Sequence, residues 1–331
     1  MKYLCIGSGS IGKRHMRNLL AMGVSPTNIV ATDPRIDRID EVRAMGIERV
    51  YTTFEEGLKA DKFDAAVICS PTNLHIEQGI ELAKRGIHIL MEKPLAHNLD
   101  GIDEFRSLVE QNNVVVLMGY IFRFSPLTDK VLELLNSNVI GKVLFVRGEF
   151  SEYLPDWHPY EDYRSFYMAE KKQGGGSILD QCHIMDLIHY LFGGFKDVYA
   201  QNGKISRLEV NSDDFSQLSI TLNNGVIASV HTDMFGRDHK KELEIKGEHG
   251  NIYWSSTKNI VTHYDAQSKA TSVYTKFPTD FNLNYISEME HFKACCKGHE
   301  VPRATLQDGV ETMELILAAY KSVSSGSVQN V

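Results

Sequence analysis

The stretch Gly7-Ser8-Gly9-Ser10-Ile11-Gly12 lies directly behind a short apolar strand-like segment, residues 2–6, and directly ahead of a helical stretch, Lys13 to Met22. No other part of the chain restricts the fold as strongly, because this glycine spacing works between a strand and a helix. Gly7 permits a tight turn, Gly9 lets a pyrophosphate approach the backbone, and Gly12 lets the helix pack closely on the strand. Beyond the turn, the N–H groups at the helix start, from Ser10 and Ile11 onward, face the phosphates. A second strand, Asn28 to Thr32, ends in Asp33, 21 residues past Gly12, where an acid is expected to accept hydrogen bonds from a ribose diol. The pattern predicts an NAD-type dinucleotide site. Asp33 repels a 2′-phosphate and favours NAD, whereas Arg35 and Arg38 lie near enough to attract one and leave NADP open. Read as a solvated loop and helix start, the two arginines carry no such role.

The alternation continues with a strand near Arg49 to Thr53, a helix from Phe54 to Ala60 and an apolar strand from Ala65 to Cys69. A further strand spans Ile87 to Met91, a helix Gly101 to Gln111 and a sixth strand Val114 to Met118. Strand–helix alternation of this kind predicts a parallel α/β sheet with right-handed crossovers. Ligands bind outside the carboxyl ends of such strands, so Ser70, Pro71, Thr72 and Asn73 are expected to border the cofactor. Thr72 and Asn73 are also placed to cap the helix that runs through Arg85. His75, in that helix's first turn, belongs to the same border and reads as a surface histidine without chemistry of its own.

The strand Ile87 to Met91 delivers Glu92-Lys93-Pro94, an ionisable pair at the end of a buried segment. Pro94 keeps Lys93 out of helical geometry and is able to form a cis peptide, and either property fixes the direction of the lysine. Glu92 and Lys93 thus fall beside the cofactor, and Lys93 is the leading candidate for proton transfer. The competing reading is an ordinary Lys-Pro turn at a strand end.

At 331 residues the chain exceeds what one small core needs, and two domains are expected, 1–121 and 122–331. A net charge of −8 argues against a nucleic-acid partner, which demands a basic face. No apolar run is long enough to cross a bilayer, and no cleavage-site pattern follows Met1, which together predict a cytoplasmic protein. The five cysteines suit a reducing compartment: Cys5 and Cys69 fall in apolar strands, and Cys295-Cys296 lacks the spacing of a zinc site.

From Lys142 onward the texture becomes strand-rich. Val143 to Phe150, Val198 to Gly203, Asp214 to Leu222, Val226 to Met234, Lys241 to Lys246 and Asn251 to Trp254 predict a mostly antiparallel sheet, with Asn223-Asn224-Gly225 as a hairpin turn. Helices are expected over Leu127 to Leu135, Asn284 to Cys296 and Leu306 to Ser322, with a frayed polar tail from Ser324.

A non-strand insertion, Tyr153 to Gly194, concentrates polar and aromatic groups. Gly174, Gly175 and Gly176 imply a loop that must pass close to something. On the helix expected after them, Asp180 and His183 lie about 60° apart and share a face, whereas His189 lies about 180° from Asp180. No metal cluster is expected from that helix, and His183 reads as an acid/base group whose ring Asp180 orients. Upstream, the run Tyr153 to Arg164 places Trp157, Tyr163 and Arg164 where rings stack on sugar faces and cations grip hydroxyls or an anionic group. A subunit contact would use the same residue types. Arg123, alone among aromatics in Gly119 to Pro126, is either a substrate-side cation or a residue whose stem covers the rings.

These motifs together resemble the family of glucose-fructose oxidoreductase and inositol 2-dehydrogenase (Gfo/Idh/MocA). The likeness covers nearly the whole chain: the glycines at 7 to 12, Ser70 to His75, Glu92-Lys93-Pro94, Gly119 to Pro126 and Gly174 to Gly194. It implies an N-terminal Rossmann domain followed by an α+β domain on an open-faced, mostly antiparallel sheet. It also implies NAD or NADP at the glycine loop, Lys93 as an active-site acid/base, and homodimers or homotetramers built through the sheet face. Family members commonly place the histidine four residues after the aspartate, whereas Asp180 and His183 are three apart, which leaves His183, Asp180 and Asp186 all in contention beside Lys93.

The expected activity is reversible oxidation of a secondary hydroxyl on a sugar, sugar nucleotide or cyclitol. The alternatives are an imine or enone reductase on the same fold, against which the polar insertion speaks, and a non-catalytic dinucleotide sensor, against which Lys93 and His183 speak.

Overall fold

A computed structural model describes residues 1–157 and 161–331. His158, Pro159 and Tyr160 of the aromatic run lie outside the described residues. The chain divides into two compact units, one formed by Met1–Tyr120 with Asn282–Gln307, the other by Ile121–Phe281 with Asp308–Val331.

The first unit is built on six strands: β1 (Tyr3–Ile6), β2 (Ile29–Thr32), β3 (Val50–Tyr51), β4 (Ala65–Ile68), β5 (His88–Met91) and β6 (Val116–Met118). All pair in parallel, in the order β3-β2-β1-β4-β5-β6. Strands buried on both faces are apolar nearly throughout, and β1, β2 and β4, polar only at Thr32, are buried at every position. Register fixes where these strands stop. Ile6 lies opposite Thr32 and Ile68, and Ile68 lies opposite Met91, so four strands end in one line. Gly7, Asp33, Cys69 and Glu92, the next residue in each case, therefore share one edge of the sheet, at the point where the strand order reverses between β1 and β4.

Residues 282–307 complete this unit. The helix Asn282–Cys296 packs on the helix Ser10–Ala21, where the Asn18 and Asn282 amides exchange hydrogen bonds and the His15 ring meets Tyr285 edge-on, 5.8 Å between centroids. The Met118 amide at the β6 edge donates to the Ala304 carbonyl at 2.9 Å.

The second unit carries nine strands among its described residues: β7 (Val143–Tyr153), β8 (Phe195–Gly203), β9 (Phe215–Leu222), β10 (Ile227–Asp233), β11 (Phe235–Gly247), β12 (Gly250–Ser255), β13 (Ile260–Asp265), β14 (Ala270–Tyr274) and β15 (Gln329–Asn330). Their order is β14-β13-β12-β11-β7-β10-β9-β8-β15, and only the β7–β10 pair is parallel. The Asn223-Asn224-Gly225 turn joins β9 to β10, with Gly225 at φ +85°. One face is covered by the helix His183–Phe192. It comes so near that a side chain at Gly148 would meet Ile184 Cγ1 at 2.7 Å. On the other face register aligns Tyr199, Ser219, Ser229, Arg147, Glu244, Tyr253, Thr262 and Val273 across eight strands.

Two expectations change. The polar tail is not frayed: β15 pairs with β8, and the Val331 amide donates to the Lys196 carbonyl at 3.1 Å. Thr72 and Asn73 do not cap the helix His75–Ala83. They form a 3₁₀ turn with Leu74 that leads into it without a side-chain cap.

Candidate active site

The glycine loop has the geometry a dinucleotide phosphate requires. Gly7 sits at φ +90°, and a Cβ there would lie 2.5 Å from the Cys69 carbonyl oxygen. At Gly12 a Cβ would lie 2.0 Å from the Gly7 oxygen, so helix and turn touch. At Gly9 nothing comes nearer than the Arg38 guanidinium at 3.8 Å, leaving that stretch of backbone open to a ligand. The first intrahelical bond runs from Lys13 N to Gly9 O, and the preceding amides of Ser10, Ile11 and Gly12 carry the positive end of the helix dipole.

Asp33, buried at the end of β2, accepts hydrogen bonds from the Ser8 amide at 2.7 Å and the Arg35 amide at 2.9 Å. Arg38 approaches the same carboxylate at 3.5 Å, while the Arg35 side chain turns outward to pair with Asp37. A cleft of about 1050 Å³ joins Gly7, Asp33, Arg35, Arg38, Ser70, Pro71 and Asn73, all within the first unit. Thr72 is buried behind it, and the Ser70 hydroxyl donates to Gln78 at 2.6 Å. This donor set fits NAD: an open phosphate loop at a helix start, and a buried acid one strand away.

At the end of β5, Glu92 is buried and Lys93 half-buried, and the Lys93–Pro94 peptide is cis. His75 is not the surface residue expected. It is 1% exposed, and its ring nitrogens lie 2.9 Å from the Pro94 and Ser70 carbonyl oxygens, tying the loop after β4 to the loop after β5. Burial pushes its pKa down. Sequence reasoning passed over His15, whose Nε2 lies 2.8 Å from Glu92 Oε1. Its spacing after Gly12 was the available signal, since three residues on from the close helix–strand contact a side chain returns to the same helix face.

In the second unit the helix expected to hold both Asp180 and His183 is broken. Ser177–Asp180 and His183–Phe192 are separate helices, because Gln181 leaves helical geometry and its side-chain amide donates to the Asp233 carbonyl at 2.7 Å. Asp180 is 3% exposed and accepts from the Tyr167 hydroxyl at 2.5 Å. The His183 ring packs 5.2 Å from Phe122 and stacks on Phe150 at 6.4 Å. Two of the three glycines pass close to neighbouring chain: a Cβ at Gly175 would meet the Tyr167 carbonyl at 2.3 Å, and one at Gly176 the Asp213 carboxylate at 2.4 Å.

Arg123, expected on the substrate side, is 2% exposed and bound within its own unit. It donates to both oxygens of Asp186, with Nη2 2.6 Å from Oδ1, and lies 3.2 Å from Asp308. A buried guanidinium needs such acceptors to offset its lost hydration, which is why it turns inward. Trp157 and Tyr163 pack against a cluster that includes Leu154, Phe166, Met168 and Met234. Arg164 is exposed and pairs with Asp162 at 2.8 Å and Glu209 at 2.7 Å.

Residues 1–120 match the family described as "Oxidoreductase family, NAD-binding Rossmann fold", and residues 128–253 match "GFO/IDH/MocA C-terminal domain". The scyllo-inositol 2-dehydrogenase (NAD(+)) of Bacillus subtilis is 26% identical, over 97% of this chain and 93% of that protein. The Myo-inositol 2-dehydrogenase of Thermotoga maritima is 28% identical, over 98% of this chain and 96% of its own. A solved levoglucosan dehydrogenase, in complex with NADH and levoglucosan, superposes with a TM-score of 0.87 at 22% identity, covering 100% of this chain and 99% of that one, and shares the fold.

Proposed function

The chain belongs to the GFO/IDH/MocA family of NAD-binding oxidoreductases, and from that premise we propose that it reversibly oxidises a secondary hydroxyl of a sugar, sugar nucleotide or cyclitol. The observation that carries the proposal is the single sheet edge shared by the glycine loop, Asp33 and Glu92-Lys93-Pro94. NAD, when bound, accepts the hydride from the alcohol carbon. Gly7, Gly9 and Gly12 leave room for its pyrophosphate, the amides from Ser10 onward meet the phosphate charge, and Asp33 accepts from the ribose diol. Lys93 manages the hydroxyl proton, with His183 as second proton carrier and Asp180 as its orienting acid. When bound, a positive nicotinamide would disfavour the ammonium form of a lysine beside it, and that effect would favour Lys93 as a base. The named substrates of the relatives, inositols and levoglucosan, are polyhydroxylated rings, and Trp157 and Tyr163 are the aromatic faces proposed to stack on such a ring.

Two further properties belong to the same reading. The outward row on the second unit's sheet includes Tyr199, Tyr253 and Val273, with Tyr199 42% and Val273 57% exposed, and we assign this face to a homodimer or homotetramer contact. No helix among the described residues is long and apolar enough to cross a membrane; the cytoplasmic location is part of the proposal and rests on five cysteines that suit a reducing compartment. The deciding experiment is a panel of sugars, sugar nucleotides and cyclitols assayed for NAD reduction. Turnover of at least one ring polyol is expected. Failure of the whole panel with protein that binds NADH would refute the substrate class.

A further inference from the structure

Behind the strand end that carries Lys93, three ionisable side chains meet inside the first unit: His15, Glu92 and Glu288. His15 and Glu288 are 0% exposed and Glu92 7%. One nitrogen or oxygen from each lies within 4.8 Å of the others. His15 Nε2 contacts Glu92 Oε1 at 2.8 Å, whereas neither oxygen of Glu288 has a hydrogen-bond partner among the described residues. Gly119 makes room for the group, since a Cβ there would lie 3.0 Å from Glu92 Oε2.

A buried carboxyl aimed at a second carboxylate needs either a cation or a proton between them. A divalent metal is the poorer fit. Ligand atoms at about 2.0–2.1 Å from a tetrahedral ion lie about 3.3 Å apart, and the 2.8 Å between His15 and Glu92 is a hydrogen-bond distance instead. A proton fits the cluster better: the His15 ring contacts Glu92 from one side, and a neutral Glu288 carboxyl would stand within 4.8 Å without adding a second buried charge.

We propose that Glu288 is a positioning residue that keeps one proton in this cluster and thereby fixes the Glu92 carboxylate, and with it the backbone that presents Lys93. The proposal rests on the assignment of Lys93 to proton transfer. The surroundings agree. Burial first, then the charge of Glu92, pushes the Glu288 carboxyl well above the usual carboxylate range. The other titratable groups around the cluster are Cys69 after β4 and Tyr285 on the same helix as Glu288, with Cys5 of β1 next to Cys69. All three are held neutral, chiefly by burial, with Glu92 and Glu288 also raising Cys69 and Tyr285. Arg14, stacked over the Tyr285 ring at 4.7 Å, is the nearby permanent cation.

The test is the pH profile of Lys93 acetylation by acetic anhydride, read by peptide mass spectrometry in the full-length protein. Glu288→Gln keeps a neutral donor and should reproduce the wild-type profile. Glu288→Leu removes the donor, lets Glu92 move, and should raise the Lys93 midpoint by about one pH unit. Should Glu288→Leu fail to fold, Glu288→Gln still decides. A midpoint lowered in that variant means that wild-type Glu288 is ionised, which overturns the proposal. An unchanged profile in folded Glu288→Leu overturns it as well, as does a stoichiometric divalent metal in the purified wild-type protein that is lost in Glu288→Gln. The role of Lys93 itself is tested separately, by turnover of Lys93→Ala, so failure of one assignment is distinguishable from failure of the other.

Discussion

The carboxylate of Asp33 accepts a 2.7 Å hydrogen bond from the backbone amide of Ser8, so the acid at the end of β2 braces the glycine turn. Its other oxygen takes the Arg35 amide, which fixes the carboxylate at the rim of the cleft. Asp33→Ala should therefore weaken NAD by about tenfold, with a smaller loss for NADP, because the acid that repels a 2′-phosphate goes with the ribose acceptor. Calorimetric titration with the two cofactors checks this, and an unchanged preference would remove Asp33 from the ribose site.

Lys93→Ala should lower kcat by about a hundredfold or more while the affinity for NADH stays within about twofold. Stopped-flow turnover beside NADH fluorescence titration separates the two quantities. A variant that turned over at the wild-type rate would show that the proton leaves by another route.

Arg123 and Asp186 are both buried and make two-pronged contact. Arg123→Ala strands the Asp186 carboxylate in a site that burial already disfavours for the charged form, and should destabilise the protein by about 3–5 kcal/mol. The double change Arg123→Met with Asp186→Leu should cost less than either single truncation. Denaturant unfolding of Arg123→Ala, Asp186→Leu and the double change is the measurement, and a single-mutant loss below about 1 kcal/mol would contradict a structural ion pair.

His75 gives a pH prediction whose sign is set by its lowered pKa. The unfolded chain takes up this proton near pH 6.5, about the ordinary histidine value, and the folded chain only at lower pH, so stability falls as pH drops below that value. His88, half-buried and also lowered by burial, adds to the same decline. In thermal melts from about pH 7.5 to 5, His75→Gln should lose less Tm on acidification than wild type, though not all of the loss. A parallel pair of curves would show that folding leaves the His75 pKa where it is in the unfolded chain, against the lowering that burial imposes.

Much of the fold was legible because its determinants are local. Strands β1, β2, β4 and β5 are short runs, apolar except at Thr32 and His88, closed by glycine, aspartate, cysteine and glutamate, and the Asn223-Asn224-Gly225 turn announces its hairpin. Strands β13 and β14 went unread because Ile260–Asp265 buries only Val261 and Ala270–Tyr274, at the sheet edge, is mostly exposed, so neither alternates clearly, and β15 is two polar residues held by pairing with β8. The break between Asp180 and His183 depends on a bond from Gln181 to Asp233, and the inward turn of Arg123 on Asp186 and Asp308. Glu288 meets Glu92 only after the chain has passed through Ile121–Phe281 of the second unit, and no periodicity encodes such a meeting.

That last arrangement bears on the order of events during synthesis. The helix Ser10–Ala21, among the first elements to leave the ribosome, acquires its neighbour Asn282–Cys296 only when nearly all of the chain has been made, and β6 waits equally long for Ala304. Until then the nascent nucleotide-binding unit has an uncovered flank and a Glu92 without its companion, while Ile121–Phe281 emerges behind it. A nascent chain halted at Tyr120 should thus remain protease-sensitive, and nucleotide binding should appear late in translation, after the second unit's sheet has been spelled out.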